Sequence, residues 1–197
     1  DADLLREQFP AMKRYFAYLE GRAAGGLLSE GLGDWYDQVL GKPGRANLTP
    51  APITATAMFY QDAATLARIA AVLGETTDAE AFTHRAADIR ALFNRELFKP
   101  GGTPLYGTGS QTALALPLAL DLVAPADRAS VTAALVDDIE RRGHASSGAV
   151  GFRYWLRALV DAGRSDLICR MATQREKPGY AYQLAQGNTT LAESWTG

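Results

Sequence analysis

Residues 51–97 read APITATAMFYQDAATLARIAAVLGETTDAEAFTHRAADIRALFNREL. In the first half, Met58, Phe59, Leu66, Ile69, Ala70 and Leu73 recur at helical spacing, which predicts a helix over 51–73 with an apolar face. Gly74 follows and supplies a stop, because glycine enters the left-handed conformation that ends a helix at little steric cost. Thr77 and Glu80 have the spacing of a capping box, in which each side chain satisfies a free backbone donor at a helix start. Phe82, Ala86, Ile89, Phe93 and Leu97 then carry a second apolar stripe. Two amphipathic helices joined through a glycine form an antiparallel hairpin.

The same grammar extends to both sides. Upstream, Leu5, Phe9, Met12, Phe16 and Leu19 share one helical face, and residues 25–50 break the period with glycines and Pro43. Connections of that length are often functional. Downstream, Leu114, Leu116, Leu118, Leu120 and Leu122 alternate as in a strand, but Pro117 interrupts them and alanines fill most gaps. A helix buried on every side explains that composition. Val131, Leu135 and Ile139 mark a helix starting near Pro125, and Phe152, Trp155, Leu156 and Leu159 mark another. Ser165 can cap a third running through Met171, after a turn at 162–166 that echoes the one at 73–78. The tail from Glu176 to Gly197 has no helical period. The sum is about seven helices with little strand. Periodicity leaves a bundle and a closed toroid both open, while no internal repeat supports a common solenoid.

Composition excludes several classes. Of 197 residues, 47% are hydrophobic and the formal net charge is −2. That balance gives no electrostatic case for nucleic acid. No apolar stretch is long enough to span a bilayer. Cys169 is alone, so no intrachain disulfide forms, and His84 and His144 lack a second ligand at metal spacing. No metal and no cofactor is expected.

Two glycine-rich loops combine carboxylates with aromatic rings: 31–37, GLGDWYD, and 187–195, GNTTLAESW. A sugar site needs an acid or base, acceptors for hydroxyls and an aromatic face for ring C–H groups. Both loops carry an Asp or Glu within two residues of a Trp. On the residues alone, Trp35 and Trp195 as packed loop anchors is the plainer reading.

The run 177–195, KPGYAYQLAQGNTTLAESW, resembles a late motif of the bacterial α-L-rhamnosidases of glycoside hydrolase family 78, in which a Gly-x-Thr-Thr/Ser-x-x-Glu-x-Trp segment follows a Tyr-rich stretch. Gly33-Asp34-Trp35 is similar to that family's Gly-Asp-Trp loop. The segments 109–113, GSQTA, and 151–156, GFRYWL, match two further family segments in the same order. The resemblance covers essentially the whole chain.

The resemblance implies an all-α fold, a partial (α/α)6 barrel of antiparallel hairpins. Residues 1–197 are then expected to be a portion of one catalytic domain, truncated at both ends. It also implies an inverting glycosidase acting on terminal α-L-rhamnosyl residues. Inversion uses two carboxyl groups about 6.5–9.5 Å apart, leaving room for a water. The family's general base maps onto Glu193, while its general acid belongs to a motif expected upstream of Asp1. Asp34, Trp35, Tyr182 and Trp195 are expected to contact substrate. The expected partners are rhamnosides and the rest of the parent polypeptide, with neither nucleic acid nor membrane among them. The chain assayed alone is expected to be inactive. Two alternatives stand beside this reading: an (α/α)6-barrel glycosidase for a different sugar, and a non-catalytic helical interaction domain.

Overall fold

A computed structural model describes residues 1–23, 25–37 and 44–192. Helix α1 (Ala2–Arg22) opens on Asp1, whose carboxylate accepts from the backbone N–H groups of Asp3 and Leu4. Helices α2 (Ala51–Leu73) and α3 (Thr76–Leu97) form the hairpin expected from the opening pattern. They are followed by a short antiparallel pair, β1 (Phe98–Lys99) and β2 (Leu105–Tyr106). Then come α4 (Gln111–Ala119), α5 (Arg128–Arg142), α6 (Phe152–Asp161), α7 (Ser165–Thr173) and α8 (Tyr180–Ala185).

The helices alternate between two layers. α2, α4 and α6 lie side by side, α4 touching both others, and each packs on the helix that follows it. α4 is buried from Gln111 through Leu118. A helix enclosed on all sides has no polar face to reveal its period, hence the strand-like leucine alternation. α1 closes on the first hairpin through an aromatic cluster. Phe16 stacks on Phe59 with ring centroids 4.8 Å apart, and Phe82 meets Phe16 edge-on at 5.4 Å. Fully burying a side chain of this size contributes about 1.5–3 kcal/mol, enough for these rings to hold α1 in place. A second core joins α4–α7 around Leu114, Leu116, Leu135, Trp155 and Leu159. Helical hairpins laid side by side with a shared inner layer are an arc of an (α/α)6 barrel.

Several local expectations are corrected. Thr77 does not cap α3: the helix begins at Thr76, Glu75 is its N-cap, and there is no side-chain cap bond. The reason lies in the preceding turn. Gly74 takes φ +78° and Glu75 N–H donates to Ala70 O at 2.9 Å, so the chain reverses within two residues. The echo at Gly163 repeats this pattern, with Arg164 N–H donating to Leu159 O at 2.8 Å. It likewise makes Arg164 the N-cap of α7, leaving Ser165 inside the helix. α4 ends at Ala119, before the last two of the alternating leucines, Leu120 and Leu122, and α5 starts at Arg128 rather than near Pro125. The tail contains α8, and the β1–β2 pair was not foreseen. No helix among the described residues is long and apolar enough to cross a membrane.

Candidate active site

The connections 23–50, 98–110 and 143–151 each deliver the N-terminus of an inner-layer helix: α2, α4 and α6. They are tied together at one end of the fold, and Asp34 is the knot. Its carboxylate is fully buried, at 0% exposure. Gly148 N–H donates to Asp34 Oδ2 and Gly151 N–H to Oδ1, both at 2.7 Å. Thr112 Oγ1–H, in the first turn of α4, also donates to Oδ2. Gly151 is the N-cap of α6, so a negative charge sits where that helix's dipole favours it. Burial pushes the Asp34 carboxyl up from its ordinary value, and the bonds from Thr112, Gly148 and Gly151 oppose that shift without cancelling it.

The glycines at this knot are steric requirements. A Cβ at Gly148 would stand 2.2 Å from Trp35 O and 2.5 Å from Asp37 N. One at Gly151 would stand 2.0 Å from Thr112 Oγ1 and 2.7 Å from Asp34 Oδ2. Trp35 is fixed through its backbone, its carbonyl accepting from Ala149 N–H at 2.6 Å. Its ring is half-buried and meets Tyr36 edge-on at 5.7 Å. Asp37 holds the outgoing limb of the loop, accepting from Asn47, Leu48 and Thr49 N–H at 2.6–2.7 Å. Gln111, fully buried, fastens the third connection: its Oε1 accepts from Ser146 N–H at 2.8 Å and its Nε2 donates to His144 O at 3.1 Å. His144 thus belongs to the loop scaffold.

The C-terminal segment reaches the same end of α6. Tyr180 meets Phe152, in the first turn of α6, edge-on at 6.4 Å. Burial raises the Tyr180 hydroxyl above its ordinary value. Tyr182 is half-buried beneath the Lys177 ammonium, 5.2 Å from its ring centroid. Glu193 and Trp195 lie outside the described residues. Of the expected site residues, then, Asp34, Trp35 and Tyr182 are placed. Asp34 faces inward with both oxygens engaged, so a sugar hydroxyl has no access to it in this conformation.

Asp62 escaped the sequence reading. With Tyr15, Tyr18, Leu32, Met58 and Val150 it lines a cleft of about 440 Å³ between α1 and α2, beside the Gly33 turn. Burial raises its carboxyl, and it makes no hydrogen bond among the described residues. Glu30, the other carboxylate there, is paired with Arg22. The available signal was position: Asp62 is the first charged residue after the start of α2, in an otherwise neutral stretch. Among the described residues no group of three or more His, Cys, Asp or Glu side chains could hold a metal.

An arc of helical hairpins whose inner-layer connections converge at one end has the architecture of part of an α/α barrel. The sequence model of the bacterial alpha-L-rhamnosidase 6 hairpin glycosidase domain matches residues 1–197, and the chain belongs to that family. It is 32% identical over 197 residues to an alpha-L-rhamnosidase of Streptomyces avermitilis, covering 99% of this chain and 18% of that protein. The crystal structure of the Streptomyces avermitilis enzyme complexed with L-rhamnose superposes with a TM-score of 0.87 at 31% identity, over 99% of this chain and 18% of that one. The alpha-L-rhamnosidase of Dictyoglumus thermophilum gives a TM-score of 0.91 at 30% identity, over 99% and 22%. The chain therefore spans about a fifth of the length of these relatives.

Proposed function

We propose that residues 1–197 are part of the catalytic domain of an inverting α-L-rhamnosidase. The observation that carries this reading is the knot at Asp34: three segments with family-like sequence, Gly33–Trp35, Gly109–Ala113 and Gly151–Leu156, meet through one buried carboxylate or its immediate neighbours. The relative solved with L-rhamnose matches across 99% of the chain, which supports rhamnose as the sugar.

In this proposal Glu193 is the general base. It takes a proton from a water that attacks the anomeric carbon from the face opposite the leaving group. A carboxylic acid from a part of the protein preceding Asp1 protonates the glycosidic oxygen, so that the C–O bond breaks as the new one forms. Trp35, Trp195 and Tyr182 border the sugar, their rings covering its C–H faces. Asp34 acts at one remove, holding the backbone that presents Trp35. The test is a screen of the full-length protein against aryl glycosides. Turnover of the α-L-rhamnoside, with no comparable turnover of α-D-mannoside, β-D-glucoside or α-L-arabinoside, is the expected result. Preference for another glycoside would redirect the proposal to that sugar, and no hydrolysis of any would favour a helical interaction domain.

A further inference from the structure

Gln183 stands out among the residues not yet assigned a task. Between Tyr180 and Ala192 it is the one buried residue, at 3% exposure, while its neighbours Leu184 to Gly187 and Thr189 to Leu191 face solvent. Its backbone carbonyl accepts from Asn188 N–H at 3.2 Å. Its side-chain Oε1 reaches nine residues along the chain and accepts from Ala192 N–H, also at 3.2 Å. One residue thus closes the loop 184–191 twice, first at Asn188 and again at Ala192, the residue immediately before Glu193.

From this juxtaposition we infer that Gln183 is a positioning residue for Glu193. The inference rests on the reading of Glu193 as general base. The physical argument is short. Consecutive Cα atoms are about 3.8 Å apart, so holding the Ala192 N–H restrains the backbone that leads into residue 193, leaving only the two Ala192 dihedrals between the anchor and the next Cα. A solvent-exposed loop without that anchor samples many backbone states, and displacing a catalytic group by about 1 Å can cost about a hundredfold in rate. Leucine would satisfy the burial at position 183, but only a residue with an acceptor at that reach can hold the Ala192 N–H.

The experiment compares Gln183→Leu and Gln183→Glu in the full-length protein, with an aryl α-L-rhamnoside as substrate. Gln183→Leu keeps the volume and removes the acceptor. It is expected to lower kcat about ten- to a hundredfold while KM changes by less than about threefold. Gln183→Glu keeps the acceptor and is expected to recover most of kcat. It also adds a negative charge near Glu193, which disfavours ionisation of the base, so the acidic limb of the kcat/KM profile moves to higher pH. On a Glu193→Gln background, Gln183→Leu is expected to cause no further loss, because the two residues act as one unit. Normal kcat in Gln183→Leu, with Glu193→Gln inactive, overturns the role of Gln183 alone. Normal turnover in Glu193→Gln overturns the reading beneath it. Should Gln183→Leu fail to fold, as judged by circular dichroism, Gln183→Glu decides: an acidic limb that does not move counts against the inference.

Discussion

Replacing Glu193 by Gln in the full-length protein is expected to lower kcat on an aryl α-L-rhamnoside by about 10²–10⁴-fold, the usual contribution of general base catalysis. Gln has nearly the same shape and still accepts a hydrogen bond, so the attacking water can remain in place. What it lacks is the basicity to take the proton as the water attacks. KM is therefore expected to stay near its original value, since the lost interaction belongs to the transition state rather than to the bound substrate. Steady-state kinetics across substrate concentration separates the two parameters. Near-normal kcat would remove Glu193 from the mechanism.

The second large effect is expected at Asp34, where it should appear in stability as well as in rate. Asp34→Ala removes the acceptor for two buried backbone N–H groups, those of Gly148 and Gly151, and for the Thr112 hydroxyl. Each orphaned buried donor costs about 1–3 kcal/mol, so a loss of about 2–6 kcal/mol is expected for the two N–H groups together. Asp34→Asn should be milder. It keeps one oxygen and avoids burying a charge, but its amide turns a donor toward one of the glycine N–H groups. Because burial raises the Asp34 carboxyl, its ionisation is a cost absent below the ordinary carboxylate range and growing as pH rises through the folded-state value. Asp34→Asn carries no such cost, so its deficit relative to the parent should be smaller at neutral pH than in acid. Chemical denaturation of the full-length variants measures the order, and the rhamnosidase rate should fall with Trp35's support. Equal stability of Asp34→Ala and the parent would show that the knot does not hold the loops together.

Much of the helical order was legible because α1 and α3 each bury one face and leave the other in water, while α2 alternates buried with half-buried positions, and each pattern writes a period into the sequence. α4 was harder for the opposite reason, since burial from Gln111 to Leu118 erases the period. There Pro117 and the alanines decided for helix. The strands Phe98–Lys99 and Leu105–Tyr106 are two residues each, too short to show alternation. α8 has six residues, under two turns. The caps at Thr77 and Ser165 were misjudged because the glycine turns before them reverse the chain early, a matter of backbone geometry rather than residue type.

The candidate site was legible as a set of motifs and illegible as an arrangement. Asp34 beside Trp35 suggested a sugar contact. No local pattern reveals that its oxygens are taken by N–H groups 114 and 117 residues further along. The clue was the pair Gly148 and Gly151, which leave room for the loop backbone and the Asp34 carboxylate, and its meaning emerges only once the three connections are seen together. Gln183 was hidden in the same way, because its partner Ala192 has no distinguishing side chain.

The central claim is that this chain contributes the base side of an inverting rhamnosidase site. Inversion and retention differ in the first sugar released, so the direct measurement is proton NMR of the anomeric region during early hydrolysis of an aryl α-L-rhamnoside by the full-length protein. The account predicts that β-L-rhamnose accumulates first and then mutarotates toward the equilibrium mixture, and that Glu193→Gln abolishes its appearance. Initial release of α-L-rhamnose would require a covalent or otherwise retaining route and would contradict the role given to Glu193.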